Sequence, residues 1–273
     1  MSNLKPLFYI IKNPAKITVL LFIFTMILFS CQKVVDVNLN SVDKEIVIEA
    51  VITDQPGSFS FKITKTVNYN EENDFPAVTG ATVKVTDNLG NTETFTETAP
   101  GIYTASTIQG VPGRKYILDI STNGKEYHSE STMPQVVELD TLISINDISF
   151  GDTFKYVNAI FSDPVGIENY YRFLEFHNDT LFKTIMIATD QFMDGTPITA
   201  SLFDYSTELK TGDTVKVILQ CIDKNVYEYF KTLSQIGGYS ETASPANPTS
   251  NINNNALGYF SATATRTKTI VIQ

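Results

Sequence analysis

The chain has 273 residues, of which 42% are hydrophobic and 18% are charged, and its formal net charge is −10. This length and composition fit one large or two small globular domains and exclude a disordered tail or a collagen-like protein. The acidic balance argues against nucleic acid as a partner, because phosphate binding depends on clustered Lys and Arg.

Residues 1–30 have the pattern of a lipoprotein signal peptide. An apolar run at 17–29 follows three basic residues, Lys5, Lys12 and Lys16. This run is shorter than the about 20 residues that a membrane helix needs. It ends at Leu28-Phe29-Ser30-Cys31, which resembles the lipobox that lipoprotein signal peptidase cleaves.

Cys31 is therefore the predicted lipidation site and the first mature residue, with residues 31–44 as a tether. The alternative is a short anchor helix with an incidental cysteine. Lys33 and Asp36 follow the cysteine and partly resemble the export signal of surface lipoproteins of Bacteroidota. We expect a lipid-anchored protein of the outer membrane that faces the cell exterior, and the alternative is the periplasmic face.

Residues 45–134 alternate apolar and polar side chains with the period of a half-buried strand. Phe59, Phe61 and Ile63 alternate with polar residues, and turn signals such as Asn123-Gly124 separate the runs. About seven short strands in this segment predict an immunoglobulin-like β-sandwich.

Residues 135–273 are predicted to form a second β-rich domain after a boundary at Met133-Pro134. Strand-like runs recur, and the last one is placed at 269–272. One helix is predicted near 223–236, with Asp223 as its N-cap and an apolar stripe of Val226, Phe230 and Leu233. The overall prediction is a mainly β chain with a single helix.

The usual signatures of catalysis and metal binding are missing. The two histidines, His128 and His177, lie in no metal-ligand spacing, and no Gly-x-Ser-x-Gly elbow or phosphate loop is present. Cys221 lies in an apolar run that favours a buried, unreactive thiol. We expect no catalytic residue, metal or cofactor.

Two groups of acidic residues leave alternatives open. The stretch 71–74 could bind Ca²⁺, but its spacing fits no EF-hand, so a solvated loop is favoured. Asp190, Asp194 and Asp204 are the candidates if the protein is a carboxylate-based hydrolase of a surface polymer.

Several aromatic residues fall in or beside predicted loops, where an exposed apolar side chain can contact another protein. We single out four possible partner contacts: Tyr69, Phe75, Tyr205 and Tyr239. For each of them, anchoring its own loop is the competing interpretation.

Several segments, in order along the chain, resemble the family named domain of unknown function 4249 (DUF4249). They include Glu49-Ala50-Val51-Ile52-Thr53-Asp54, Gly110-Val111-Pro112-Gly113-Arg114-Lys115-Tyr116, and Ser244-Pro245-Ala246-Asn247-Pro248-Thr249 with Ala256-Leu257-Gly258-Tyr259-Phe260. The Pro- and Asn-rich segment before Ala256 is expected to act as a strap over the second domain or as a docking edge.

This resemblance implies an outer-membrane lipoprotein without an assigned enzymatic activity, whose gene commonly neighbours a TonB-dependent receptor. The functional expectation is a non-catalytic accessory protein that binds a ligand or a TonB-dependent outer-membrane receptor. The alternatives are the hydrolase and a structural or adhesive surface protein.

Overall fold

The computed structural model describes residues 43–68, 71–149, 152–203, 208–237 and 247–273. Residues Asp43–Gln273 belong to one compact unit. Within the described residues the elements are β1 (Ile46–Thr53), β2 (Phe59–Lys65), β3 (Thr82–Asp87), β4 (Thr92–Ala99), β5 (Ile102–Ala105), β6 (Lys115–Thr122), β7 (Lys125–Thr132), β8 (Leu139–Ser149), β9 (Asp152–Ser162), β10 (Tyr170–His177), β11 (Thr180–Leu181), β12 (Met186–Thr189), β13 (Pro197–Leu202), β14 (Thr214–Ile222), α1 (Lys224–Gly237) and β15 (Leu257–Val271). For the described residues, the prediction of a mainly β chain with one helix is confirmed.

The first seven strands form the predicted immunoglobulin-like β-sandwich. Their order is β1-β2-β5-β4-β3-β6-β7, so that β1-β2-β5 and β3-β6-β7 correspond to strands A-B-E and C-F-G of that fold. Strand β4 pairs with both groups. Alternate side chains from both groups, such as Phe61, Val83 and Leu118, lie in one buried apolar cluster.

A tyrosine at the start of β6 fixes the corner that leads into this strand. The buried Tyr116 hydroxyl donates to the carbonyl of Gln109 at 3.3 Å and accepts from the backbone N–H of Val111 at 2.7 Å. A tyrosine bonded to the backbone just upstream of strand F is a hallmark of immunoglobulin-like sandwiches. Its presence supports the fold independently of the strand order.

The hairpin at Asn123-Gly124 is also confirmed. Both residues have positive φ angles, 50° and 72°, and Thr122 pairs with Lys125 across the two-residue turn. A type I′ turn needs positive φ at both central positions, which Asn and Gly accept at low cost.

The long strand β15 connects the sandwich with the rest of the chain. Its first half pairs in parallel with β1, from Leu257 opposite Val47 to Thr263 opposite Thr53. Its second half pairs antiparallel with β14, which is followed in the sheet by β10. The sequence predicted a strand start at Ala256 and a strand-like run at 269–272, so both ends of β15 were anticipated, but its continuity and its two partner strands were missed.

The predicted boundary at Met133-Pro134 falls between β7 and β8. Strands β8, β9 and β13 form a separate three-stranded sheet, and apolar side chains from both sides of the boundary share one buried cluster. Shared packing does not test whether the parts fold independently, so the division at 45–134 and 135–273 stays a prediction.

The helix α1 begins where the sequence predicts. The carboxylate of Asp223 accepts the backbone N–H of Val226 at 3.0 Å, and it also accepts the hydroxyl of Ser131. Val226 and Phe230 are buried against Tyr170 and Ile222.

In the described part of the chain, no helix combines the length and apolar character needed to cross a membrane.

Candidate functional site

The positions predicted from sequence are only partly covered by the structure. Cys31, Tyr69, Tyr205 and Tyr239 lie outside the described residues. Phe75 lies in the segment between β2 and β3 and is 47% exposed. Its exposure is compatible with a partner contact, which stays a prediction.

Two loops that sequence reasoning missed as contact surfaces expose four large apolar side chains. One loop, residues 163–169, joins β9 to β10, and the other, residues 190–196, joins β12 to β13. We call their four exposed apolar residues the apolar tip: Val165 at 78% exposure, Ile167 at 52%, Phe192 at 90% and Met193 at 41%.

Hydrogen bonds hold the two loops of the apolar tip together. Asp194 of the second loop accepts the backbone N–H of Gly166 at 2.7 Å, and Asp163 of the first loop accepts the backbone N–H of Gly195 at 3.1 Å. The backbone of Gly195 packs closely against Val165, where an added Cβ would lie 2.8 Å from the valine Cβ. The two loops that carry the exposed apolar residues are therefore joined to each other.

A signal for the apolar tip was present in the sequence. Val165 stands between Pro164 and Gly166, and Phe192 stands in Asp190-Gln191-Phe192-Met193-Asp194-Gly195. Large apolar residues inside Gly-, Pro- and Asp-rich turns have no strand face on which to be buried. That pattern alone was sufficient to suggest exposed contacts.

The same two loops bring three carboxylates together in an acidic cluster of Asp163, Asp190 and Asp194. One oxygen of each lies within 4.8 Å of the others, and Asp163 and Asp190 are buried whereas Asp194 is exposed. The sequence named Asp190 and Asp194 as candidates but missed Asp163, which is distant along the chain. Asp204, the third predicted acid, lies outside the described residues.

The buried carboxylates of the acidic cluster are fixed by neighbouring groups. Asp163 accepts the hydroxyl of Tyr171, and Asp190 accepts the backbone N–H of Asn169 at 2.9 Å. Burial, followed by the bond to Asp163, raises the pKa of Tyr171 far above its usual value, so the tyrosine remains a donor. Among the described residues, the carboxylate oxygens of the acidic cluster are the atoms best placed to hold a metal ion.

The two histidines lie on different strands and each contacts a carboxylate. The Nδ1 of His128 on β7 is 2.8 Å from Asp119, beside an open groove of about 490 Å³. The Nε2 of His177 on β10 is 2.9 Å from Glu175. Neither histidine belongs to a metal-ligand cluster among the described residues.

The thiol of Cys221 is buried on β14, as the sequence predicts. Burial raises the pKa of this thiol to about 11. The thiolate is the nucleophilic form of cysteine, and at neutral pH this side chain is held as the thiol.

The Asn-rich segment before β15 forms a strap. It bonds to β15, the strand into which it leads, and also to β7 of the sandwich. Asn251 forms two hydrogen bonds with the backbone of Phe260, at 2.7 and 3.0 Å. The carbonyl of Asn251 accepts the hydroxyl of Ser129 on β7, and Asn253 accepts the backbone N–H of His128. The predicted strap over the second domain thus also extends onto the sandwich, and the alternative of a docking edge stays a prediction.

Comparison with solved structures gives two distant similarities. A DUF4785 family protein from Legionella pneumophila is 9% identical, with 65% of this chain and 52% of that chain covered and a TM-score of 0.26. This chain thus spans about half the length of that protein. A two-domain fibronectin type III segment of chicken tenascin is 12% identical, with 66% and 91% covered and a TM-score of 0.22.

These scores are too low to carry an argument, so the fold assignment rests on the strand order and on Tyr116. No curated protein matches the chain. A family model does match, and its alignment covers residues 32–269, beginning one residue after Cys31. Because this match spans most of the sequence, the chain belongs to the family described as domain of unknown function (DUF4249).

Proposed function

We propose that this protein is a non-catalytic lipoprotein of the outer membrane, anchored through Cys31 and facing the cell exterior. In this role it acts as an accessory component of a TonB-dependent transport system. The apolar tip provides the contact with the receptor, and the lipid keeps the protein beside it.

The observation that carries the binding role is the exposure of the apolar tip. Single exposed apolar residues are common on protein surfaces and need no explanation. Four of them on two hydrogen-bonded loops are less ordinary, because grouped apolar exposure marks interaction sites. Phe192 is the strongest candidate, since its side chain is 90% exposed and large aromatic residues are enriched among the anchors of protein interfaces.

Support for the tether comes from the sequence. A basic start, a short apolar run and a terminal Ser30-Cys31 together form a lipoprotein signal. Lipidation of Cys31 with more than one acyl chain gives stable attachment, whereas a single chain gives only marginal binding. A tethered protein searches for its partner in two dimensions, which raises its effective concentration near the receptor.

Burial argues against the hydrolase alternative. A carboxylate pair that works as acid and base must reach the scissile bond from both sides. In the acidic cluster only Asp194 is exposed, while Asp163 and Asp190 are 6% and 3% exposed. We therefore favour binding over hydrolysis, and over a purely adhesive role because four exposed apolar side chains share two loops that are hydrogen-bonded to each other.

The test is co-purification from membranes in mild detergent, using the tagged full-length lipoprotein. We expect a β-barrel receptor to be enriched with the wild type and to be reduced at least 10-fold with the double variant Val165→Ser and Phe192→Ser. Leu89→Ser is the matched control, because Leu89 is 67% exposed in the turn between β3 and β4. Failure to enrich any receptor, or equal loss with Leu89→Ser, would overturn the proposal.

A further inference from the structure

No cationic side chain of the described residues forms an ion pair with the acidic cluster. None of the ion pairs among the described residues includes Asp163, Asp190 or Asp194. Like charges this close repel each other, and burial of an unpaired carboxylate is costly. A bound cation would remove both penalties.

A buried amide beside the cluster also lacks a partner. Asn169 is 5% exposed, and its Oδ1 atom is buried without a hydrogen bond. Most buried polar atoms in native proteins are hydrogen-bonded, so an orphaned oxygen calls for an explanation such as an ion. This observation is independent of the three carboxylates.

The strand register places Asn169 on the same face as Asp190 of the acidic cluster. β10 and β12 are antiparallel, with Tyr170 opposite Thr189, and the backbone N–H of Asp190 continues the ladder to the carbonyl of Asn169 at 3.4 Å. Residues opposite each other in such a ladder project to the same face. Asn169 also shares this face with Tyr171, two residues later, whose hydroxyl donates to Asp163.

We propose that Asp163, Asp190 and Asp194, together with the amide oxygen of Asn169, form a Ca²⁺ site. All four ligands are hard oxygen donors, which bind Ca²⁺ and Mg²⁺ in preference to softer metals. Three carboxylates and an amide suit Ca²⁺, because Mg²⁺ usually keeps several waters and takes only one or two carboxylates. The exposed Asp194 leaves one side of the site open for entry and for water ligands.

The ion would cross-link the two loops that carry the apolar tip. Asp163 and Asn169 come from one loop, and Asp190 and Asp194 come from the other. The Ca²⁺ site and the receptor contact are tested separately, because metal binding is measured on the purified protein without the receptor.

The full-length lipoprotein in detergent is first treated with a chelator to remove bound metal. It is then titrated with Ca²⁺, and binding is measured by calorimetry. Terbium luminescence gives a second readout, since Tyr171 lies against the site and the chain contains no Trp. We expect one ion per chain. Asp194→Asn should weaken Ca²⁺ binding at least 10-fold and should preserve the fold, because Asp194 is exposed.

The matched control is Asp74→Asn in the exposed acidic stretch at 71–74, which should bind Ca²⁺ as the wild type does. Asn169→Ala should also weaken binding, which separates a ligand role from a general loss of negative charge. The proposal is overturned by an absence of binding at 10 mM Ca²⁺, by tighter binding of Mg²⁺, or by equal affinity of the wild type and Asp194→Asn. It is also overturned if Asp74→Asn weakens binding as much as Asp194→Asn does.

Discussion

Gly258 at the start of β15 lies directly against the backbone of Ile48 in β1. An added Cβ at position 258 would be 2.0 Å from the carbonyl oxygen of Ile48, and the φ angle of the glycine is +90°. The close approach occurs where the last strand pairs in parallel with the first. Only glycine fits there, since both the φ angle and the available space exclude a side chain.

Gly258→Ala is therefore expected to destabilise the fold by at least about 3 kcal/mol, because it combines backbone strain with a clash against main-chain atoms. The measurement is the free energy of unfolding in urea. Gly124→Ala is the control: its φ is +72° and its Cβ would meet no atom within 4 Å, so strain alone should cost about 1–2 kcal/mol. Equal losses in the two variants would contradict the close approach of β1 and β15.

Tyr116→Phe tests the corner before β6. Removal of the hydroxyl leaves the N–H of Val111 and the carbonyl of Gln109 without this partner, and we expect a loss of about 1–3 kcal/mol in the free energy of unfolding. Tyr127→Phe is the control, because the Tyr127 hydroxyl has no hydrogen bond to another described residue. A loss no larger than in the control would show that the corner bond is unimportant.

Arg266→Gln tests the charged contact between the end of β1 and the segment before β8. Arg266 donates to Asp54 at 2.8 Å and to Glu138 at 2.7 Å. Burial alone would raise the pKa of Asp54, but hydrogen bonds from Arg266, Thr265 and Gln55 outweigh it and hold the pKa below its ordinary value. We expect the variant to lose about 1–3 kcal/mol of stability at pH 7.

The pH dependence of this loss follows from the lowered pKa of Asp54. In the wild type its contribution is present above the ordinary pKa of 3.8 and is lost as the pH falls through the lower folded value. The difference between Arg266→Gln and wild type should therefore shrink below about pH 4. Lys62→Gln, in the exposed pair with Glu49 at 3.8 Å, should change stability by less than about 1 kcal/mol. A pH-independent difference for Arg266→Gln would contradict the assignment.

Cys31→Ser tests the tether. The serine cannot accept a thioether-linked lipid, so the precursor should remain uncleaved and metabolic labelling with palmitate should disappear. Cys221→Ala removes the other cysteine, which is buried, and should keep the label. Persistent labelling of Cys31→Ser would refute lipidation at this position.

The sequence predicted those elements that depend on local patterns. Alternation at Phe59, Phe61 and Ile63 located β2, and Asn123-Gly124 located the β6–β7 turn, because both features are decided within a few residues. The helix α1 was found for the same reason, from the cap at Asp223 and the stripe of Val226 and Phe230.

Features that depend on distant parts of the chain were missed. The parallel pairing of β1 with β15 joins Ile48 to Gly258, and no local period distinguishes a strand that is paired on both sides from an ordinary apolar run. The acidic cluster was missed for the same reason. Asp163 and Asp190 lie in different loops and meet only after β10 pairs with β12. The sequence named Asp190 and Asp194 as candidates, but it missed Asp163 and could not bring the three acids together.

The measurement that tests the central claim most directly is site-specific photo-crosslinking in intact cells. A photoreactive residue replaces Phe192 in the full-length lipoprotein, and the matched control carries it in place of Leu89, the exposed residue of the β3–β4 turn. The account predicts a crosslink from position 192 to a TonB-dependent β-barrel receptor and none from position 89. Absence of a receptor crosslink from position 192, or equal crosslinking from both positions, would contradict it.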